Sequence, residues 1–137
     1  MFKNFFNKKQ EVEETPLAIR AMATLQQGNY SEGLRLFNEY ISMIEGLSTP
    51  LNADDGVMYY NRSIAKEALN DKFGAINDLK KAVQLGFEND QCYFRLADLQ
   101  SQTGDQQESI KNLVKAYELG SSDAENALRK YTNYFNR

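Results

Sequence analysis

The sequence predicts an all-α fold, a solenoid of about three helix–turn–helix repeats closed by a C-terminal capping helix. Three observations predict it. Ile76, Leu79, Lys81, Ala82, Leu85 and Gly86 recur as Ile110, Leu113, Lys115, Ala116, Leu119 and Gly120, each displaced by 34 residues. Tyr59 and Asp71 return as Tyr93 and Asp105 at the same displacement, and a fixed period of that size marks an array of helical hairpins. Apolar residues along the chain keep the three-and-four spacing of a helix face, so seven helices and no strand are expected.

Taken in order, residues 1–13 read as a flexible basic-aromatic leader. Lys3, Lys8 and Lys9 stand before Glu11, Glu13 and Glu14, and Phe2, Phe5 and Phe6 share a helical face. Membrane contact through this leader is disfavoured, because one amphipathic turn without lipidation anchors weakly. Residues 14–137 form the repeat domain. Thr15-Pro16 opens the first helix, with a cap followed by a proline whose missing N–H does no harm in the first turn. Gly28-Asn29 ends it, and Ser31 is the expected cap of a second helix carrying Leu34, Phe37, Ile41 and Ile44. The polar run 46–55, with Pro50 inside it, reads as a loop.

From Gly56 the array is regular. Tyr59, Ile64 and Ala68 mark one helix, and Phe73, Ile76, Leu79, Ala82 and Val83 the next, with Gly86 placed for a left-handed cap. Asn89 or Asp90 opens a helix through Tyr93, Leu96, Ala97 and Leu99. Gly104-Asp105 turns the chain into Ile110, Leu113, Ala116 and Tyr117. Ser122 to Glu125 has the spacing of a capping box. It starts a last helix over 122–135 with Ala124, Ala127, Leu128, Tyr131 and Phe135 on one side, as the end of an open stack requires.

The segment from Tyr59 to Ala82 resembles the tetratricopeptide repeat. It has an early aromatic, a small residue (Ser63) in mid-helix, a polar turn, and Ala75 and Ala82 seven apart. Ala97, Gly104, Ser109 and Ala116 repeat that spacing, and Ala21, Gly28, Gly33 and Phe37 fit an earlier copy. Repeats fall at about 14–47, 56–89 and 90–123. Departures are Tyr40 in place of the family's alanine, Gln106 in place of its turn aromatic, and Leu-Gly in place of its closing proline. Gly28 to Asn70 spans 42 residues, about eight more than the period. The resemblance implies a right-handed α-solenoid in which the first helix of each repeat lines a concave groove.

Carried onto this sequence, the resemblance places Ala18, Ile19, Met22 and Leu25, then Tyr60, Asn61, Ile64 and Glu67, then Phe94, Arg95, Asp98 and Gln102 along the groove. Glu125, Leu128 and Arg129 close its end. Met22, Ile64, Tyr60 and Phe94 give an adaptable apolar floor, and Asn61 and Arg95 supply hydrogen bonds. Asn61 and Arg95 coincide with two places used by relatives that clamp the C-terminal carboxylate of heat-shock chaperones. Ala18, Met22 and Gln91 occupy the other three, so both clamp lysines are missing. The implied function is a non-catalytic module binding a peptide or partner protein in the groove. The alternative is homo-oligomerisation through the first repeat and the leader, and either a monomer or a homodimer fits.

Other classes lack their chemistry. A net charge of −3 and the absence of clustered Lys and Arg argue against nucleic acid. With no histidine, Ser–His–Asp and Cys–His machinery is impossible and the commonest metal ligand is missing. Cys92, the single cysteine, is expected to be a small packing residue. No enzyme activity, cofactor or metal is called for, and cytoplasmic residence is the expectation.

Overall fold

The computed structural model describes residues 17–136. Among them are seven α-helices and no strand: α1 over 17–26, α2 Tyr30–Glu45, α3 Ala53–Ala68, α4 Lys72–Gln84, α5 Asp90–Gln102, α6 Gln106–Glu118 and α7 Ser122–Tyr131. A short 3₁₀ turn follows at Tyr134–Asn136. Each helix packs chiefly on its neighbours in sequence, the arrangement of an all-α helical solenoid. Thr15 and Pro16, and the whole leader, lie outside the described residues.

The turns inside the hairpins share one construction. Gly28, Asn70 and Gly104 take positive φ (77°, 65° and 92°), which glycine and asparagine tolerate best. Asn29, Asp71 and Asp105 follow with nearly identical backbone angles, and their side chains accept from the N–H groups of Glu32, Gly74 and Glu108. The α2 cap is therefore Asn29, not Ser31. Its oxygen stands three residues before the N–H it accepts from, while Ser31 is already inside the helix.

Two further boundaries differ from expectation. Asn52 caps α3, accepting from the N–H groups of Asp54 and Asp55, while Asp55 reaches back to the Asn52 N–H at 2.8 Å. This capping box draws Ala53, Asp54 and Asp55 out of the expected loop and into the helix. The eight additional residues between the first two turns are thereby absorbed. Helices α2 and α3 have 16 residues each where α4 and α5 have 13. The connection 46–52 is also two residues longer than its counterpart 85–89.

At the far end Ser121, not Ser122, caps α7, its hydroxyl accepting from the Ala124 N–H at 3.1 Å. Helix α7 stops at Tyr131 instead of running to 135. The chain then folds back so that Tyr134 and Phe135 meet the Tyr117 ring edge-on at 6.2 and 5.3 Å. Tyr131 is left 72% exposed.

The core runs along the array in three clusters. Ala21, Leu36, Phe37, Ile41, Met58 and Tyr59 join the first two hairpins. Ile76, Leu79, Leu96 and Leu99 join the second and third, and Tyr93, Leu113, Ala116 and Leu128 seat α7. Gly56 permits the close approach of α3 to the end of α4. A Cβ there would sit 2.9 Å from the Phe87 Cβ and 3.1 Å from the Ala82 carbonyl oxygen.

Candidate functional site

Helices α3 and α5 present one face each to a common hollow of about 380 Å³. Tyr60 and Glu67 are two turns apart on α3. Gln91, Phe94, Arg95 and Asp98 follow the three-and-four spacing of one face of α5. The adjacent Tyr59 points the other way, into the core, where its hydroxyl donates to Glu45 Oε1 at 2.5 Å. The third wall is the turn from α6 into α7, residues 120–123, opened by Gly120 with φ +97°.

The walls are held by specific contacts. The Tyr60 ring meets Phe87 edge-on at 5.4 Å, and its hydroxyl donates to Gln91 Oε1 at 3.3 Å. Burial pushes the Tyr60 phenol above its ordinary range. The Arg95 guanidinium pairs with Glu67 through Nη2 and lies 5.8 Å from the Tyr60 ring centre, while its Nε is buried without a hydrogen-bond partner among the described residues. Asp98 accepts from Gln102 Nε2 at 2.9 Å.

A second hollow of about 440 Å³ adjoins the first, with Phe94 and Asp98 lining both. Its remaining walls come from α5, α6 and α7 and include Ala97, Ile110, Leu113, Ala127 and Tyr131. Together the hollows form a groove crossing α3, α5 and α7.

Of the residues expected to line a groove, Tyr60, Glu67, Phe94, Arg95 and Asp98 converge on the first hollow. Met22 does not reach it: with Ala18 and Leu25 it packs against the first core cluster, leaving Ile19 as the exposed large apolar side chain of α1. Asn61 and Ile64 are half-buried on α3 outside both hollows. Arg129 also lies outside them, paired with Glu125 at 2.8 Å and stacked 4.3 Å from the Phe135 ring centre. Asp90, Asp123 and Tyr131 are lining residues that sequence reasoning missed. Asp90 precedes Phe94 by four and so carried a helix-face signal, whereas Asp123 reads as a first-turn carboxylate that suits any helix start and nothing in the sequence marked it. Gln91 was legible, because it precedes Phe94 by three and Asp98 by seven.

Cys92 is fully buried, and burial pushes its thiol up to about 11, so little thiolate exists at neutral pH. Among the described residues no group of three or more Cys, Asp or Glu side chains is disposed to hold a metal ion. None of the described helices is long and apolar enough to cross a membrane.

Residues 90–121, helices α5 and α6 with their flanking turns, match the tetratricopeptide repeat family. The match is one repeat long. Solved structures of tetratricopeptide-repeat domains share the fold. The first such domain of Spaghetti (RPAP3), bound to the HSP90 peptide SRMEEVD, superposes with a TM-score of 0.71 at 22% identity, over 90% of this chain and 94% of that one. The Sgt2 domain from Aspergillus fumigatus gives 0.68 at 19% identity, over 90% and 80%. The Yersinia enterocolitica type III secretion chaperone SycD, in complex with a peptide of the translocator YopD, gives 0.65 at 18% identity, over 81% and 79%. No curated protein matches the chain.

Proposed function

We propose that the chain is a non-catalytic interaction module that holds a peptide segment of a partner protein in the groove across α3, α5 and α7. The observation that carries this reading is the convergence of Tyr60, Phe94 and Tyr131 with several polar side chains on two adjoining hollows. Concave sites with aromatic walls and a few placed polar groups are where ligands are usually held. The fold likeness to domains solved with peptides, the Spaghetti and SycD complexes, supports the same reading.

Panning a random-peptide display library on the full chain, followed by isothermal titration of recovered peptides, tests it. Phe94→Ala and Tyr131→Ala are expected to weaken binding about tenfold or more, as loss of an aromatic anchor does. Phe73→Ala is the control, because Phe73 is 70% exposed and lies outside both hollows. Peptides that bind with equal strength to the Phe94 and Tyr131 variants would place the binding face elsewhere.

A further inference from the structure

The two hollows differ in chemistry, and the difference selects an occupant. The second sets Phe94, Ala97, Ile110, Leu113, Ala127 and Tyr131 among the neutral polar groups of Ser101, Gln106, Ser109 and Thr132, with Asp98 at the edge it shares with the first, and its apolar part suits an apolar side chain. Among the described residues the first gathers four carboxylates, Glu67, Asp90, Asp98 and Asp123, and one guanidinium, that of Arg95. That guanidinium is already engaged, by the Glu67 carboxylate and by the face of the Tyr60 ring. Its Nη2 is taken by Glu67, so an incoming carboxylate would have to compete with Glu67 for it.

Once Arg95 and Glu67 neutralise each other, Asp90, Asp98 and Asp123 leave the hollow negative. Among the described residues Asp98 is bonded to the neutral amide of Gln102. Asp90 and Asp123 stand in the first turns of α5 and α7, where the helix end offsets about half a charge each and does not cancel them. The same walls carry Phe94, whose ring face attracts cations, and Tyr60, whose ring already holds the Arg95 guanidinium. An acidic tail would meet like charge here, whereas a lysine or arginine side chain would meet carboxylates and an aromatic face together.

Resting on the groove reading above, we propose that the partner segment is a basic–apolar peptide. A lysine or arginine side chain enters the carboxylate hollow, and a bulky apolar side chain a few residues away enters the adjoining one. Phe94 and Asp98, common to both hollows, are the ridge between the two subsites.

The test is titration of the full chain with three end-blocked pentapeptides, Lys-Phe-Lys-Phe-Lys, Gln-Phe-Gln-Phe-Gln and Glu-Phe-Glu-Phe-Glu. At about 50 mM salt the basic probe is expected to bind about tenfold tighter than the acidic one, with the margin shrinking at about 500 mM as screening grows. The double variant Asp98→Asn, Asp123→Asn changes two exposed side chains and is expected to reduce the basic probe's advantage at least about threefold. If the acidic or neutral probe binds as tightly as the basic one and Phe94→Ala weakens it, the charge selection is overturned while the groove reading stands. If no probe responds to Phe94→Ala, or if light scattering shows a second copy shutting all three probes out, both are overturned.

Discussion

Asp78 is 3% exposed on α4 and is bonded by two cations from α3. Arg62 donates to both of its carboxylate oxygens at 2.8 Å, and Lys66 Nζ lies 3.0 Å away. One period later the same three places hold Leu96, Asn112 and Gln100, and Asn112 Nδ2 donates to Gln100 Oε1 at 2.7 Å. The array thus fills one buried position ionically in one repeat and with neutral amides in the next. Asp78→Ala strands two mostly buried cations and is expected to cost about 3–5 kcal/mol, much of the total stability of an ordinary domain. The triple variant Arg62→Leu, Lys66→Gln, Asp78→Asn transplants the neutral solution. It forgoes the Arg62 bond to Asn38 at 3.3 Å and the Arg62–Tyr59 stacking at 5.4 Å, so it is expected within about 1–2 kcal/mol of the parent. Urea unfolding followed by far-ultraviolet circular dichroism measures both. An Asp78→Ala cost below about 1 kcal/mol would mean that solvent screens the cluster. A triple variant as unstable as Asp78→Ala would show that the two repeats are not interchangeable at this position.

Asn52→Ala is expected to lose about 1 kcal/mol with the capping box, and Ser121→Ala a similar amount, while Ser122→Ala leaves stability unchanged within error; urea midpoints of the three decide it. Gly56→Ala would gain about 1 kcal/mol from helix propensity alone. The contacts a Cβ would make with Phe87 and Ala82 reverse that sign, and a net loss of about 1–3 kcal/mol is expected in thermal melts. Cys92 has its thiol raised from 9.0 to about 11 in the folded chain, so its contribution is complete below pH 9 and is lost as pH climbs from 9 to 11. Tyr59, raised by burial and then by its bond to Glu45, acts in the same direction. Stability measured at neutral pH and again near the upper end of that window should fall by on the order of 2 kcal/mol. A flat profile would contradict the burial of both groups.

The period announced the array because the same residue types do the same work in both copies. Tyr59 and Tyr93 are both buried, Ala82 and Ala116 are both fully so, and Gly86 and Gly120 share φ values of +98° and +97°. It failed where position along the stack matters more than residue type. Ile76 is 7% exposed because α5 covers it, whereas its counterpart Ile110 is 38% exposed and lines the second hollow. Helix starts were the other loss. Asn29 beside Ser31, and Ser121 beside Ser122, are pairs of competent caps, and only the backbone decides which oxygen reaches an N–H. The family resemblance put Tyr60, Glu67, Phe94, Arg95 and Asp98 along one groove, and all five line the first hollow. Sequence could not show that Glu67 spends the charge of Arg95, nor that a turn two helices later would add Asp123 to the same hollow.

Amide chemical-shift mapping of the basic pentapeptide on the isotope-labelled full chain puts the groove itself to the test. Saturable shifts are expected at Tyr60, Glu67, residues 90–98 and residues 120–123, with Phe73 and its neighbours on α4 silent. Shifts centred on α2 and α4, or none that saturate, would contradict binding in the groove.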